Sequence, residues 1–543
     1  MTSYNKINGT MASERADLVT EILRNEWGFD GMVMSDWYGG QYAFGQMLAG
    51  NDLLMPGKRQ QRDEIKAAVL NGHLPMDIID RNVKHILECV VKTPRFKGYV
   101  ADNNPDLAAH AGVAQSASDE GMVLLKNSKN TLPFNGKDKK IAVFGCTSYD
   151  FIAGGTGSGD VHHAYVVNLI DGLKKAGFDI DNEVSDKYTA YIPVEKEKLP
   201  RPTGKLASFM PRQLVPEMPL DGIDVKKAAK TNDIAIITIG KTSGEFYDRR
   251  LSDNYNLTPM EQELISTVCR DFHKAGKRVV VILNNCGVIE TSSWIDKPDA
   301  VLLAWLPGQE GGNSVADILV GNVNPSGRLP MTWAIRYEDD PTFEDFPLVD
   351  SLTQEEIERP IIGHASGRYE GDKKNYDITT YNEGIEVGYR YFNTKDVPVA
   401  FPFGYGLSYT EFGYDNLKVD KDDDGNITIS VKVTNKGKRA GKEVVQVYVT
   451  APGKDMPKPR RELKAFAKTT ELGKGESETV SITIPYTELA SFNEDGSCWQ
   501  VEEGDYIVSI ARNVNDSKPL TATVHQNGAV TEKTAQCLLP IQK

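Results

Sequence analysis

The chain has 543 residues, 40% of them hydrophobic, and a formal net charge of −14. That length fits about three domains with sizeable cores. The acidic balance, with no basic patch to neutralise phosphates, excludes a nucleic-acid partner from the expectations and suits neutral small molecules. No run of 18 apolar residues occurs, so neither a transmembrane helix nor a membrane partner is expected. Met1 opens on Thr-Ser-Tyr-Asn-Lys, which does not read as a signal peptide. Cys89, Cys146, Cys269, Cys286, Cys498 and Cys537 form no Cys-x-x-Cys pair and no Cys/His cluster with zinc spacing.

Residues 1–95 read as about three β/α units, with strand ends near Ser3–Tyr4, Met34–Asp36 and Leu54–Pro56. A helix is expected over Ser13–Trp27, from Leu18, Val19, Ile22, Leu23 and Trp27 on one face and Ser13 as its cap. Further helices are expected near Gln41–Leu48, Asp63–Leu70 and Met76–Val91. Residues 96–108 are polar and read as a linker, followed by a helix over about Ala109–Leu125. A strand at Lys139–Gly145 leads to the glycines 154, 155, 157 and 159. They come too late after the strand, and in the wrong spacing, for a dinucleotide turn. They read instead as a flexible loop near a ligand.

More strands follow at Asp233–Gly240, Arg278–Leu283 and Ala300–Leu306. Between the first two lies a helix that Thr258 caps, with Pro259 at its first position and Glu261 completing a capping box. Alternating strands and helices imply an α/β domain built on a doubly wound sheet. Residues 181–223, rich in proline, read as an insertion or long surface loop. Residues 335–410 are irregular. From about Tyr414 the pattern alternates, as in Ile427, Ile429, Val431 and Val433, and turn signals such as Asp424-Gly425 divide the strands. That is an antiparallel β-sandwich. The expected class is therefore α/β plus all-β.

Asp36 ends the apolar run Met32-Val33-Met34, where parallel β/α units place their chemistry. Beside Trp37 it is a candidate nucleophile, or else an ordinary helix cap. Glu245, in the loop after the strand ending at Gly240, is a second carboxylate. Glu310, after the strand ending at Leu306, is a third, although as an anion before a helix at Asn313–Val320 it has a structural explanation. An Asp and a Glu facing one another across an interdomain cleft would serve glycoside hydrolysis through a covalent intermediate.

Several stretches carry a specific resemblance. They include residues 3–9 (Ser-Tyr-Asn-Lys-Ile-Asn-Gly), 28–37 (Gly-Phe-Asp-Gly-Met-Val-Met-Ser-Asp-Trp) and 49–56 (Ala-Gly-Asn-Asp-Leu-Leu-Met-Pro). Others are Val123–Asn127, the Ser243–Arg249 loop, Leu306–Gly312, Asn324–Pro330, Glu386–Tyr391 and Phe401–Tyr409. Together the sequence resembles glycoside hydrolase family 3, the β-glucosidase group. The resemblance implies a partial (β/α) barrel over 1–95, a linker over 96–108 and an α/β sandwich domain over 109–335. An irregular segment over 336–413 and a fibronectin type III-like domain over 414–543 complete it.

By the same resemblance Asp36 is the nucleophile and Glu245 the acid/base, with Glu310 as the alternative. Trp37 packs against the sugar, Tyr4 hydrogen-bonds near the nucleophile, and Asp248 and Arg249 brace the acid/base loop. The implied activity is a retaining exo-acting β-glycosidase, most naturally a β-glucosidase, on oligosaccharides or aryl and alkyl β-glucosides, with no metal or organic cofactor. The alternatives are a non-catalytic carbohydrate-binding fragment and a β-xylosidase. The family's barrel begins about five strands earlier. The chain is therefore expected to be a poor catalyst alone, with a homo-oligomer or the missing barrel half as its partner. The compartment stays open: periplasmic or secreted if a leader precedes Met1, cytoplasmic otherwise.

Overall fold

The computed structural model describes residues 1–200, 213–244, 249–343 and 381–538. In the N-terminal layer, Thr2 bridges Ser35 and Met34 bridges Leu53, both in parallel. A hairpin joins β1 (Lys6–Ile7) to β2 (Thr10–Met11). Helices α1 (Ala43–Ala49), α2 (Arg59–Leu70) and α3 (Met76–Lys92) follow. They enclose a small core of Ala43, Met47, Leu54, Ala68 and Leu74.

The helix expected over Ser13–Trp27 takes a different form. A short turn at Ala12–Glu14 is broken at Arg15, which is extended. The helix itself runs over Asp17–Glu26 and is wound wider than an α-helix, with the Trp27 amide bonding Ile22 O. The break has a local cause: the Arg15 guanidinium reaches back to Ile7 O at 2.7 Å and forward to Asp17 Oδ1 at 2.9 Å. Ser13 does not cap, because its Oγ donates to Gly39 O at 2.5 Å. Trp27 is 71% exposed, so it does not share the buried face.

Helix α4 (Leu107–Gly121) opens the next unit, capped by Asp106, whose side chain accepts from the Ala109 amide. It stops four residues before the expected Leu125. Val123, Leu124 and Leu125 instead enter strand β3 (Val123–Asn127), where an extended chain buries alternate residues on both faces of the sheet. That sheet also holds β4 (Lys140–Phe144), β5 (Asp179–Ile180), β6 (Ile234–Lys241), β7 (Arg278–Asn285) and β8 (Ala300–Leu303). Its order is β3-β8-β7-β6-β4-β5. All neighbours are parallel except β3 with β8.

The central strands are apolar on both faces, as a sheet covered on both sides requires. Ala235, Ile237 and Ile239 meet one core, which also takes α7 (Asn182–Lys198) and α9 (Pro259–Lys274). Ile234 and Ile236 meet the other, with α6 (Leu169–Lys175) and α10 (Gly311–Val320). Helix α7 corrects the reading of 181–223 as a surface loop. Val184, Tyr188 and Ile192 recur at helical spacing and are buried, and Pro193 sits inside the helix without ending it. The Thr258 capping box forms as expected, with Glu261 N to Thr258 Oγ1 at 3.2 Å and Thr258 N to Glu261 Oε2 at 2.7 Å. Strand β8 ends at Leu303, three residues short of the expected Leu306.

In the C-terminal part, β11 (Phe412–Lys421), β12 (Ile427–Asn435) and β15 (Ser477–Ile484) form one antiparallel sheet. β13 (Val444–Thr450), β14 (Glu462–Lys468), β18 (Gly504–Ala511) and β19 (Leu520–Gln526) form another. Ile427, Ile429, Val431 and Val433 from the first sheet pack on Val445, Val447, Val508 and Ile510 from the second. The chain then returns. Beyond β20 (Val530–Lys533), the Ala535 amide donates to Glu26, the Leu538 amide to Asp17, and Asn8 Nδ2 to Leu538 O.

Candidate active site

Asp36 stands just past the parallel segment that pairs through Met34 and Ser35. Its amide donates to Thr2 O at 3.0 Å, and the Ser35 amide donates to Leu53 O at 3.0 Å. Ser35 Oγ accepts from the Met55 amide at 2.9 Å, tying the next strand end to the same row. Asp36 Oδ1 accepts from the Trp37 amide at 2.6 Å, and its carbonyl accepts from the Gly39 amide at 3.0 Å. The backbone is therefore fixed on both sides of a half-buried carboxylate. Trp37 is 52% exposed, with its ring edge-on to Tyr38 at 6.3 Å between centroids. Tyr4 is half-buried in the turn before β1.

The α/β domain gathers its loops beyond the C-terminal ends of its parallel strands. Strand β6 ends at Lys241, and its loop continues through Thr242, Ser243 and Gly244. Glu245 and Asp248 lie outside the described residues. Arg249 is described, and its guanidinium is held by neighbouring groups. Its Nε donates to Asn254 Oδ1 at 2.6 Å and its Nη1 to Val288 O at 2.5 Å. Burial lowers its pKa from the ordinary guanidinium value. Asn254 in turn donates to Thr242 O at 2.8 Å, closing the loop on itself.

The glycine-rich loop meets this one, because Thr156 Oγ1 donates to Ser243 O at 2.7 Å. Asn284, at the end of β7, holds the segment before it through Ile152 N at 2.7 Å and Ile152 O at 3.0 Å. Glu310 is 6% exposed and precedes α10. Its oxygens accept from the Tyr165 hydroxyl at 2.5 Å and from Asn313 Nδ2 at 2.6 Å. The hydrogen bond to Glu310 keeps the Tyr165 phenol protonated, so its pKa is raised. The following Gly312 touches backbone: a Cβ there would lie 2.0 Å from Asn168 O. This motif packs α10 on α6, with Glu310 at the position that begins α10.

Buried charge clusters escape the sequence reading, among them those of Asp52 and Lys241. Asp52 accepts from Arg24 Nη2 at 2.7 Å and from the Val33 amide at 2.8 Å, and it meets His85 Nδ1 at 2.8 Å. Lys241 Nζ pairs with Glu261 at 2.6 Å and donates to Asp253 O at 2.9 Å. No periodicity links residues so far apart in the chain. Among the described residues, no group of three or more His, Cys, Asp or Glu is placed to hold a metal. No described helix is long and apolar enough to cross a membrane.

Comparison with known families decides what this arrangement belongs to. The model of the glycosyl hydrolase family 3 C-terminal domain matches residues 122–409, and that of the family's N-terminal domain matches 1–89. The chain belongs to glycosyl hydrolase family 3. A fibronectin type III-like domain matches 443–514, within the β-sandwich. The family 3 architecture is thus present as a barrel-like N-terminal domain, an α/β sandwich domain and a fibronectin type III-like domain.

Family 3 relatives extend along nearly the whole chain. It is 34% identical to the thermostable beta-glucosidase B of Acetivibrio thermocellus over 523 residues, which is 95% of this chain and 62% of that protein. An exo-alpha-(1->6)-L-arabinopyranosidase of Bifidobacterium breve is 31% identical, over 97% of this chain and 63% of its own. The chain thus spans less than two thirds of the length of these curated relatives. Beta-glucosidase 3B of Thermotoga neapolitana, solved in complex with glucose, superposes with a TM-score of 0.87. Its identity is 41%, covering 98% of this chain and 71% of that one.

Proposed function

We infer that the chain acts as a retaining, exo-acting β-glycosidase with terminal β-glucosyl residues as substrate. Asp36 attacks the anomeric carbon, and Glu245 protonates the leaving oxygen. Water then hydrolyses the glycosyl ester with Glu245 as base. The observation that carries this reading is the seat of Asp36. A carboxylate at the end of a parallel segment, with its amide locked to Thr2 O, can hold one orientation toward a sugar. The β-glucosidase names of the relatives support the substrate class. Trp37 supplies an apolar ring face beside the sugar, Tyr4 a hydroxyl near the nucleophile, and Asp248 and Arg249 support the acid/base loop. The domains divide on this reading at 1–95, 96–108, 109–335, 336–413 and 414–543.

The test is covalent. In an active preparation with the rest of the barrel present, a 2-deoxy-2-fluoro-glucoside is expected to esterify Asp36, read by mass spectrometry of the labelled peptide; a label on another carboxylate overturns the assignment. Glu245→Ala is expected to slow poor leaving groups far more than activated aryl glucosides, with rescue by azide. The same rescue at Glu310→Ala would move the acid/base role there. The arabinopyranosidase relatives favour a second reading. An aryl α-L-arabinopyranoside turned over faster than the aryl β-glucoside would replace glucose as the preferred sugar.

A further inference from the structure

A groove of about 720 Å³ runs between the segment 392–405 and two loops of the β-sandwich, 460–461 and 513–517. Its size is within the range of about 300–1,000 Å³ usual for ligand sites. None of its lining residues belongs to the strand-end loops or to the N-terminal layer. The walls are fixed to one another. The Val514 amide donates to Phe403 O at 3.1 Å, and Asn393 Nδ2 donates to Asn515 Oδ1 at 2.8 Å. Arg460 grips Asp396, with Nη2 to Oδ2 at 2.6 Å, and its amide donates to Thr394 Oγ1 at 3.0 Å. A groove held at this many points keeps its shape before any ligand arrives, which lowers the cost of binding.

The unused hydrogen-bonding capacity is specific. Arg461 Nη1 is committed to Val514 O at 3.2 Å and Asp516 O at 2.9 Å. Its Nε and Nη2 donate to no described residue, and no described carboxylate pairs with it. Two free donors on one planar guanidinium suit a ligand that presents acceptors at neighbouring atoms. Vicinal hydroxyls do so.

Charge selects further. The lining cations Arg460 and Arg461 are balanced by Asp396 and Asp516. Asp396 is spent on Arg460, which lowers its pKa. The Asp516 carboxylate is spent on the Arg512 and Lys518 amides, each at 3.0 Å. A groove without net charge favours a neutral ligand over an anion. Pro398, Pro402 and the Tyr405 ring add apolar faces to the same lining.

We propose that this groove is a second binding site for a neutral saccharide, separate from Asp36 and the strand-end loops and independent of hydrolysis there. The probe is thiocellobiose, whose sulfur linkage resists hydrolysis, added to the full chain and followed by hydrogen–deuterium exchange. Amides in peptides covering 392–405 and 513–517 are expected to exchange at least fivefold more slowly at saturation. Ser517→Trp fills the groove from an exposed position, and Arg461→Gln removes the donors. Each is expected to abolish that protection while leaving protection in residues 33–56, and the turnover of an aryl β-glucoside, unchanged. Absence of protection at 392–405 and 513–517 in the parent chain overturns the proposal. So does its survival in both variants. Equal protection by sodium sulfate alone would make the groove an anion site and overturns it too.

Discussion

Lys241 ends a strand that is buried along its whole length, and its side chain is 5% exposed. The ammonium is tolerable there because Glu261 and Asp253 O surround it. Removing one member of such a pair strands the other charge, at a cost of about 3–5 kcal/mol. Lys241→Met is expected to destabilise the α/β domain by about that amount in urea unfolding. Lys241→Met with Glu261→Leu should cost less than Lys241→Met alone, despite losing the capping box, because no unpaired charge remains. A double variant at least as unstable as the single one would place the stabilisation in the pair itself.

Glu217 is the residue whose charge state the fold alters most plainly. Burial pushes its carboxyl up to about 7, with the charge of Glu261 adding to the effect. Hydrogen bonds from the Cys146 amide and the Tyr188 hydroxyl, both at 3.0 Å, work the other way. The folded chain thus keeps a proton that the unfolded chain releases near 4.5. The stability linked to that proton is full below about 4.5 and is lost as pH rises through about 7, on the order of 3 kcal/mol in all. Glu217→Gln is expected to remove this component, so its melting temperature should fall less than the parent's between pH 5 and 8. Parallel curves for the two proteins would refute it.

Among the elements, the clearest were written in short-range signals. The α9 cap needed only Thr258, Pro259 and Glu261. The sandwich strands needed only alternation, as in β12, where every second residue is buried. Elements fixed by distant partners could not be read this way. The turn at Arg15 depends on Ile7 O, and the end of α4 depends on which faces of the sheet await Val123 and Leu124. The site was legible in the same uneven way. Asp36 is marked by the end of its apolar run and by the family resemblance. Asp52 lies in a stretch that carries the resemblance, but its pairing is marked by nothing local, because Arg24 and His85 are 28 and 33 residues away. Asp52→Ala is expected to leave Arg24 buried without its carboxylate and to loosen the parallel row, at about 3–5 kcal/mol. Faster hydrogen exchange at Val33 and Ser35, with the β-sandwich unchanged, would show it.

Across the whole molecule, the N-terminal layer and the sandwich are joined by residues 535–538. Among the described residues, three hydrogen bonds, involving Asn8, Asp17 and Glu26, make that junction. Truncation after Lys533 is expected to expose the helix Asp17–Glu26 to proteases, while the α/β and sandwich domains keep their resistance. Unchanged cleavage there would mean that the layer is held by other contacts. The same layer carries Asp36, so any change in turnover on truncation would report how firmly the candidate nucleophile is seated.

That junction also sets an order of events during synthesis. Asn8 and Leu538 are bonded to one another at a separation of 530 residues. At ribosomal rates of roughly 5–20 residues per second, about half a minute to nearly two minutes pass between the two. For that interval the layer holding Asp36 waits outside the ribosome with its last hydrogen bonds unmade, while the two later domains, each with its own core, form behind it. The earliest part of this sequence to emerge is thus among the last to be finished.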